Sequence, residues 1–153
     1  MIYSSTIKPQ LHKLCLAFIQ KRIENIEYSL GQARQASNDD TKSSAGDKYE
    51  TTREMMQQEM DRNNKLLYEA GIQKMALQQI ERTSNSSIVQ NGNLVFTSKG
   101  NFYLSISAGE LTVDTEKYIA VSQASPIGKM LIGKMETEGF IFNGNEFLIQ
   151  KIL

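Results

Sequence analysis

Few side chains in this 153-residue chain are equipped for chemistry: one histidine, His12, one cysteine, Cys15, and a knot of carboxylates at Asp39, Asp40, Asp47 and Glu50. A lone His and a lone Cys cannot supply a His/Cys zinc site or a Cys–His–His catalytic set. The chain also lacks a glycine-rich phosphate loop and a nucleophile elbow, so a free-standing metabolic enzyme is not expected. The carboxylates remain. They surround the polar run Ser37-Asn38-Asp39-Asp40-Thr41-Lys42-Ser43-Ser44-Ala45-Gly46, whose small side chains favour turns and caps. Two readings fit them. They can cap helices and complement a helix dipole, or they can act as a set of exposed oxygen ligands.

Two helical seams flank that run. Pro9 suits the first turn of a helix, where its missing N–H costs nothing. Beyond it Leu16, Ile19, Ile23, Ile26, Leu30, Ala33 and Ser37 recur at spacings of three and four, the period of a coiled-coil seam. A second seam passes through Tyr49, Met56, Met60, Asn63, Leu67, Ala70 and Leu77, with Arg53 and Lys74 as imperfect members. Two such helices joined by a short polar loop should fold back as an antiparallel coiled-coil hairpin, with its tip at about 38–48. From Leu11 to Asn38 the arm should be about 42 Å long. Met55, Met56 and Met60 are expected in the coil core. Cys15 is expected as a small buried apolar residue and His12 as a partly exposed one.

A polar join, Arg82-Thr83-Ser84-Asn85-Ser86-Ser87, divides the chain into parts of unlike composition. Residues 1–82 hold all five arginines, whereas 83–153 hold seven of the ten glycines. The second part reads as strands at Leu94–Thr97, Phe102–Ile106, Leu111–Val113 and Tyr118–Val121, with Asn91-Gly92 as a hairpin-type turn ahead of the first. Ser125 and Pro126 mark the cap and first position of a short helix. Phe140–Phe142, the Asn143-Gly144 turn and Phe147–Ile149 make a closing hairpin. The fold class is therefore α+β: a helical hairpin, then a β-sheet domain with one short helix. Phe140, Phe142 and Phe147 are expected to pack in its core.

Seventeen basic and seventeen acidic residues cancel, so nothing pulls the whole chain toward nucleic acid or an anionic membrane. With one cysteine there is no internal disulfide, which suits a reducing cytosol. No apolar run approaches the length of a bilayer span, and the opening MIYSSTIKPQLHK lacks the form of a signal peptide. A soluble cytoplasmic protein is the expectation, without membrane association or sequence-specific DNA binding.

Several strings taken together resemble the GreA/GreB family of bacterial transcription elongation factors. They are Tyr103-Leu104-Ser105-Ile106-Ser107 followed by Gly109, Ser125-Pro126-Ile127-Gly128, Leu131-Ile132-Gly133-Lys134, and Phe142-Asn143-Gly144 followed by Phe147-Leu148-Ile149. Tyr49, Arg53 and Glu54 match a tyrosine and a basic–acidic pair on the family's second coil helix. The resemblance implies an FKBP-like fold for 83–153 and a probe-like role for 1–82. The coiled coil would enter the secondary channel of bacterial RNA polymerase while the C-terminal domain docks at the channel rim, through Ser125, Pro126, Ile127, Lys129 and Lys134. Lys151 is a further candidate for an acidic polymerase surface.

The resemblance also implies that acidic tip residues help the polymerase hold a second magnesium ion, so that the backtracked nascent RNA is cut near its 3′ end. Carboxylates suit that task because magnesium is a hard cation that prefers oxygen ligands. The factor has no cofactor of its own in this picture and borrows the polymerase's active site. The tip departs from the family pattern. Cleaving members carry an aspartate and a glutamate seven and four residues before the matched tyrosine, and here those positions hold Lys42 and Ala45. The nearest acids make Asp40 and Asp47 the expected catalytic and magnesium ligands, with Asp39 and Glu50 in reserve. Two alternatives follow: a channel-binding regulator that does not stimulate cleavage, and an FKBP-like isomerase or chaperone with a helical dimerisation arm.

Overall fold

The structure, a computed structural model, describes residues 3–40, 46–80 and 86–153, and for 37, 39, 40 and 46–49 it describes the backbone alone. Helix α1 spans Ile7–Asp40 and α2 spans Gly46–Gln78, so each is longer than its seam alone suggests. Strands β1 (Leu94–Thr97), β2 (Gly100–Leu104), β3 (Gly109–Val113) and β4 (Glu116–Val121) follow. Helix α3 (Pro126–Leu131) and strands β5 (Gly139–Phe142) and β6 (Asn145–Ile152) complete the chain. The α+β class, a helical hairpin followed by a sheet domain with one short helix, is as expected.

Contacts divide the chain into two compact units, Ile19–Lys74 and Met1–Phe18 with Met75–Leu153. The base of each helix thus belongs to the sheet unit. The compositional join at Arg82 falls among 81–85, outside the described residues.

In the helical unit, Ile19, Ile26, Leu30 and Ala33 of α1 and Asn63 and Ala70 of α2 are buried, as a seam requires. Lys74 Nζ donates to Gln20 Oε1 at 2.8 Å, and farther along Tyr28, Ala33 and Ala36 line one hollow with Met56 and Glu59. Rising numbers on α1 thus meet falling numbers on α2, the antiparallel arrangement. Met56 and Met60 are half-buried in the seam, but Met55 is 59% exposed and lies outside it. Adjacent helical positions are 100° apart, so the seam cannot take both Met55 and Met56.

In the other unit the six strands form one mixed sheet of order β3-β4-β2-β1-β6-β5. All neighbours are antiparallel except β2 and β4, which pair in parallel with Phe102 opposite Ile119 and Leu104 opposite Val121. Strand alternation sends Val95, Phe102, Leu104 and Val121 into a core with Leu131 of α3. A register shift between β1 and β6 lets Ile149 and Ile152 join it although they are three residues apart, and Ile127, Met130, Phe142 and Phe147 also pack against it. The intervening residues Phe96, Tyr103 and Tyr118 are equally buried. On that face Tyr103 meets His12 and Ser105 meets Cys15, so the base of α1 covers it. Both faces of the central strands β1 and β2 are therefore buried, whereas the outer strands β3 and β5 are largely exposed.

Two turns need comment. At Asn143-Gly144 both residues have positive φ (51° and 76°), the type I′ geometry that a two-residue hairpin favours, and they join β5 to β6 as expected. Asn91-Gly92 is not a hairpin turn. Gly92 has φ 94°, its amide donates to the Leu104 carbonyl, and the turn leads into β1 from the segment where Ile88 bridges Met135. Strand β1 instead turns into β2 through Ser98-Lys99. The Asn-Gly pair supplies positive φ wherever it is needed, and partner strands decide whether a hairpin follows.

Candidate functional site

The expected acids lie at two helix ends, on either side of residues 41–45. Asp39 and Asp40 lie in the last turn of α1, and Asp47 lies in the first turn of α2. Glu50 follows Asp47 by three residues, so the two share one side of α2. Glu50 is exposed, with no ion pair among the described residues. The side chains of Asp39, Asp40 and Asp47, and the whole of Lys42 and Ala45, lie outside what the structure describes. Tyr49, the anchor of that count, is on α2 by its backbone.

Helix ends weigh these acids differently. The N-terminus of a helix carries a partial positive charge, so Asp47 and Glu50 stabilise α2 where they stand. The C-terminus carries partial negative charge, and no basic residue lies in the last turn of α1. Asp39 and Asp40 therefore stand at the end of α1 whose dipole disfavours a carboxylate. Among the described residues no group of three or more His, Cys, Asp or Glu side chains gathers as for a metal ion.

The second set of expected residues surrounds α3. Ser125 Oγ accepts from the Gly128 amide at 3.1 Å and donates to the Ser122 carbonyl at 2.7 Å, which makes it the N-cap. Pro126 holds the first helical position. Ile127 packs toward the core. A Cβ on Gly128 would sit 2.0 Å from the Ser122 carbonyl oxygen, so only glycine fits. The Ser-Pro-Ile-Gly string thus has a complete local explanation as a capped, tightly seated turn. Lys129 projects exposed from this helix and Lys134 is half-buried just beyond it, neither with an ion-pair partner among the described residues. Lys151, by contrast, lies 3.9 Å from Glu136.

No protein-family model matches the chain, and no curated protein matches it. One solved structure, titled "Structure of the transcription factor Gfh1", is similar over 90% of this chain and 92% of that one, at 19% identity and a TM-score of 0.36. That likeness is too distant to transfer a role.

Sequence reasoning missed the environment of His12. It is 4% exposed, and its Nδ1 is hydrogen bonded to the Tyr103 hydroxyl at 3.1 Å. Helix α1 lies on the sheet at this point, and Leu11, His12 and Cys15 form the inward face there. The signal was available in the spacing, since Leu11, Cys15 and Ile19 continue the apolar stripe in steps of four beneath Leu16, which is half-buried. Cys15 is buried as expected. Burial pushes its thiol pKa up, partly opposed by the 3.6 Å contact with Ser105 Oγ, so the thiol is neutral and unreactive. Phe140 is in the core with Phe142 and Phe147 packed on it, and the Phe140 and Phe147 rings stack at 5.1 Å.

No helix among the described residues is long and apolar enough to cross a membrane.

Proposed function

We propose that this chain is a Gre-like transcription factor that binds bacterial RNA polymerase, inserts its helical hairpin into the secondary channel and stimulates cleavage of backtracked nascent RNA. The observation that carries the reading is the hairpin itself. Two helices of 34 and 33 residues flank a five-residue interval, with aspartates at the end of one and the start of the other. At 1.5 Å per residue each helix is about 50 Å long, enough to carry a charge deep into a channel. Asp39 and Asp40 stand where the dipole of α1 disfavours a carboxylate, which sets them apart from ordinary capping residues.

Asp40 and Asp47 are the proposed ligands, with Asp39 and Glu50 as reserves. Their carboxylates offer hard oxygen donors to a magnesium ion shared with the polymerase, and the polymerase supplies the rest of the active site. The protein is then no enzyme by itself. Lys129 and Lys134, without an ion-pair partner among the described residues and beside the capped turn of α3, are the proposed contacts to an acidic polymerase surface. A cytoplasmic location follows from that partner.

A second reading has its own observation. The positions that match the family's acidic pair hold Lys42 and Ala45, which favours a regulator that occupies the channel without stimulating cleavage. Transcript cleavage in stalled, backtracked complexes of the cognate polymerase decides between them. Wild-type protein should accelerate cleavage, and Asp40→Ala or Asp47→Ala should reduce it about tenfold or more while binding persists. Binding without cleavage selects the regulator. Absence of binding rejects both.

A further inference from the structure

Within the sheet unit, beside the start of α1 and the β3–β4 turn, lies a cleft of about 280 Å³. It is lined by Ser4 and Thr6, whose hydroxyls are 2.8 Å apart and hydrogen bonded to each other, and by Asp114 and Glu116. Among the described residues neither carboxylate has an ion-pair partner. The nearby Lys117 is held 3.2 Å from Glu110 instead.

Tyr118 supplies a further wall. It is 1% exposed, and its ring meets Phe96 edge-on at 6.3 Å. No hydrogen bond engages its hydroxyl among the described residues, although no fully buried side-chain nitrogen or oxygen there lacks a partner. The hydroxyl is therefore not sealed away, and its outlet is the cleft it lines. Burial foremost, then Glu116 and Asp114, push the phenol pKa up, so the group stays protonated. A ligand in the cleft would hydrogen bond to that open hydroxyl in place of solvent.

The acceptors define the ligand. Two acidic and three hydroxyl-bearing residues line a space below the roughly 300 Å³ at which small-molecule pockets begin, and about right for one side chain. Two acids alone are a thin set for a divalent ion, whereas a guanidinium offers five donors in a planar fork that suits paired carboxylates. We propose that this cleft receives an arginine side chain of a partner protein, with Asp114 and Glu116 pairing the guanidinium and Tyr118 hydrogen bonding at its edge. This contact is separate from the hairpin tip and does not depend on the cleavage reading.

The test is a two-dimensional amide NMR titration of the full chain with the blocked tripeptide Gly-Arg-Gly, carried to about 10 mM. Gly-Lys-Gly, Gly-citrulline-Gly and magnesium chloride are the comparison probes. The arginine peptide should shift the amides of Thr6 and 114–118 saturably and bind several-fold tighter than the lysine peptide. Asp114→Asn with Glu116→Gln should weaken it about tenfold or more, and Tyr118→Phe, which keeps the ring, about threefold. Asparagine tolerates the positive φ of Asp114 (49°), so the turn survives the change. An absence of shifts, equal binding of citrulline or lysine, or saturation by magnesium at lower concentration would each overturn the assignment.

Discussion

The sheet unit and the helical unit bury their apolar residues in different ways. In the sheet, successive residues of β1 and β2 are buried on opposite faces, and Leu94, Val95, Tyr103 and Leu104 are all fully covered. In the hairpin each helix has one buried stripe, and Met56, Met60 and Leu67 in that stripe are only half-buried. Asn63, a polar residue at a seam position, is 6% exposed, with its Nδ2 3.4 Å from Glu59 Oε1. A two-helix hairpin has one interface to bury, so it gains less per residue than a sheet covered on both sides. The difference teaches where each unit's tolerance lies: the sheet resists change in volume, and the hairpin has stability to spare at few positions but sequence freedom at many.

Substitutions can break that comparison. The largest effect is expected at Gly128, where any Cβ meets the Ser122 carbonyl at 2.0 Å. Gly128→Ala should destabilise the sheet unit by about 3 kcal/mol, seen as a lowered urea midpoint. Next comes a matched pair of leucines. Leu104→Ala should cost about 3 kcal/mol and Leu67→Ala about 1 kcal/mol, because only the first leaves a closed cavity. Equal losses would mean that the hairpin is as tightly packed as the sheet.

Two smaller effects sharpen the contrast by running the other way. Lys8 is 6% exposed and lacks a hydrogen-bond partner among the described residues, and burial holds its pKa below the ordinary 10.5. The native state then disfavours the charged amine at neutral pH. Lys8→Met should stabilise the sheet unit by about 1 kcal/mol at pH 7. The sign follows from linkage: with the folded pKa depressed, the wild type gains stability as pH rises toward 10.5, so the advantage of the variant should shrink over that window. Asn63→Leu should raise the thermal midpoint of the hairpin, worth about 1 kcal/mol or less, at the cost of a less sharply defined register. Helical circular dichroism at 222 nm follows both transitions.

Local chemistry was readable from the chain alone. The three–four spacing announced both helices, Ser125-Pro126 announced the cap of α3, and Asn143-Gly144 announced its turn, since each of these is set by residues within a few positions of one another. The acids could be placed at the facing ends of two helices for the same reason. Reading failed where distant partners choose. Asn91-Gly92 has the residues of a hairpin but no second strand beside it. His12 looked ordinary until Tyr103, ninety-one residues away, closed over it. The cleft of Ser4, Thr6, Asp114, Glu116 and Tyr118 left no pattern in the sequence, because its walls come from two distant stretches.

The elements and their amphipathic faces thus belong to the sequence, where helical and strand periods impose them on any fold the chain adopts. The fold alone chose their partners: it set β4 between β3 and β2, paired β2 with β4 in parallel, and laid the base of α1 on the second face of the sheet. Period and capping act between neighbours along the chain. Strand order and burial are settled by which arrangement removes the most apolar surface from water while every backbone group keeps its hydrogen bond, and that sum is taken over the whole unit.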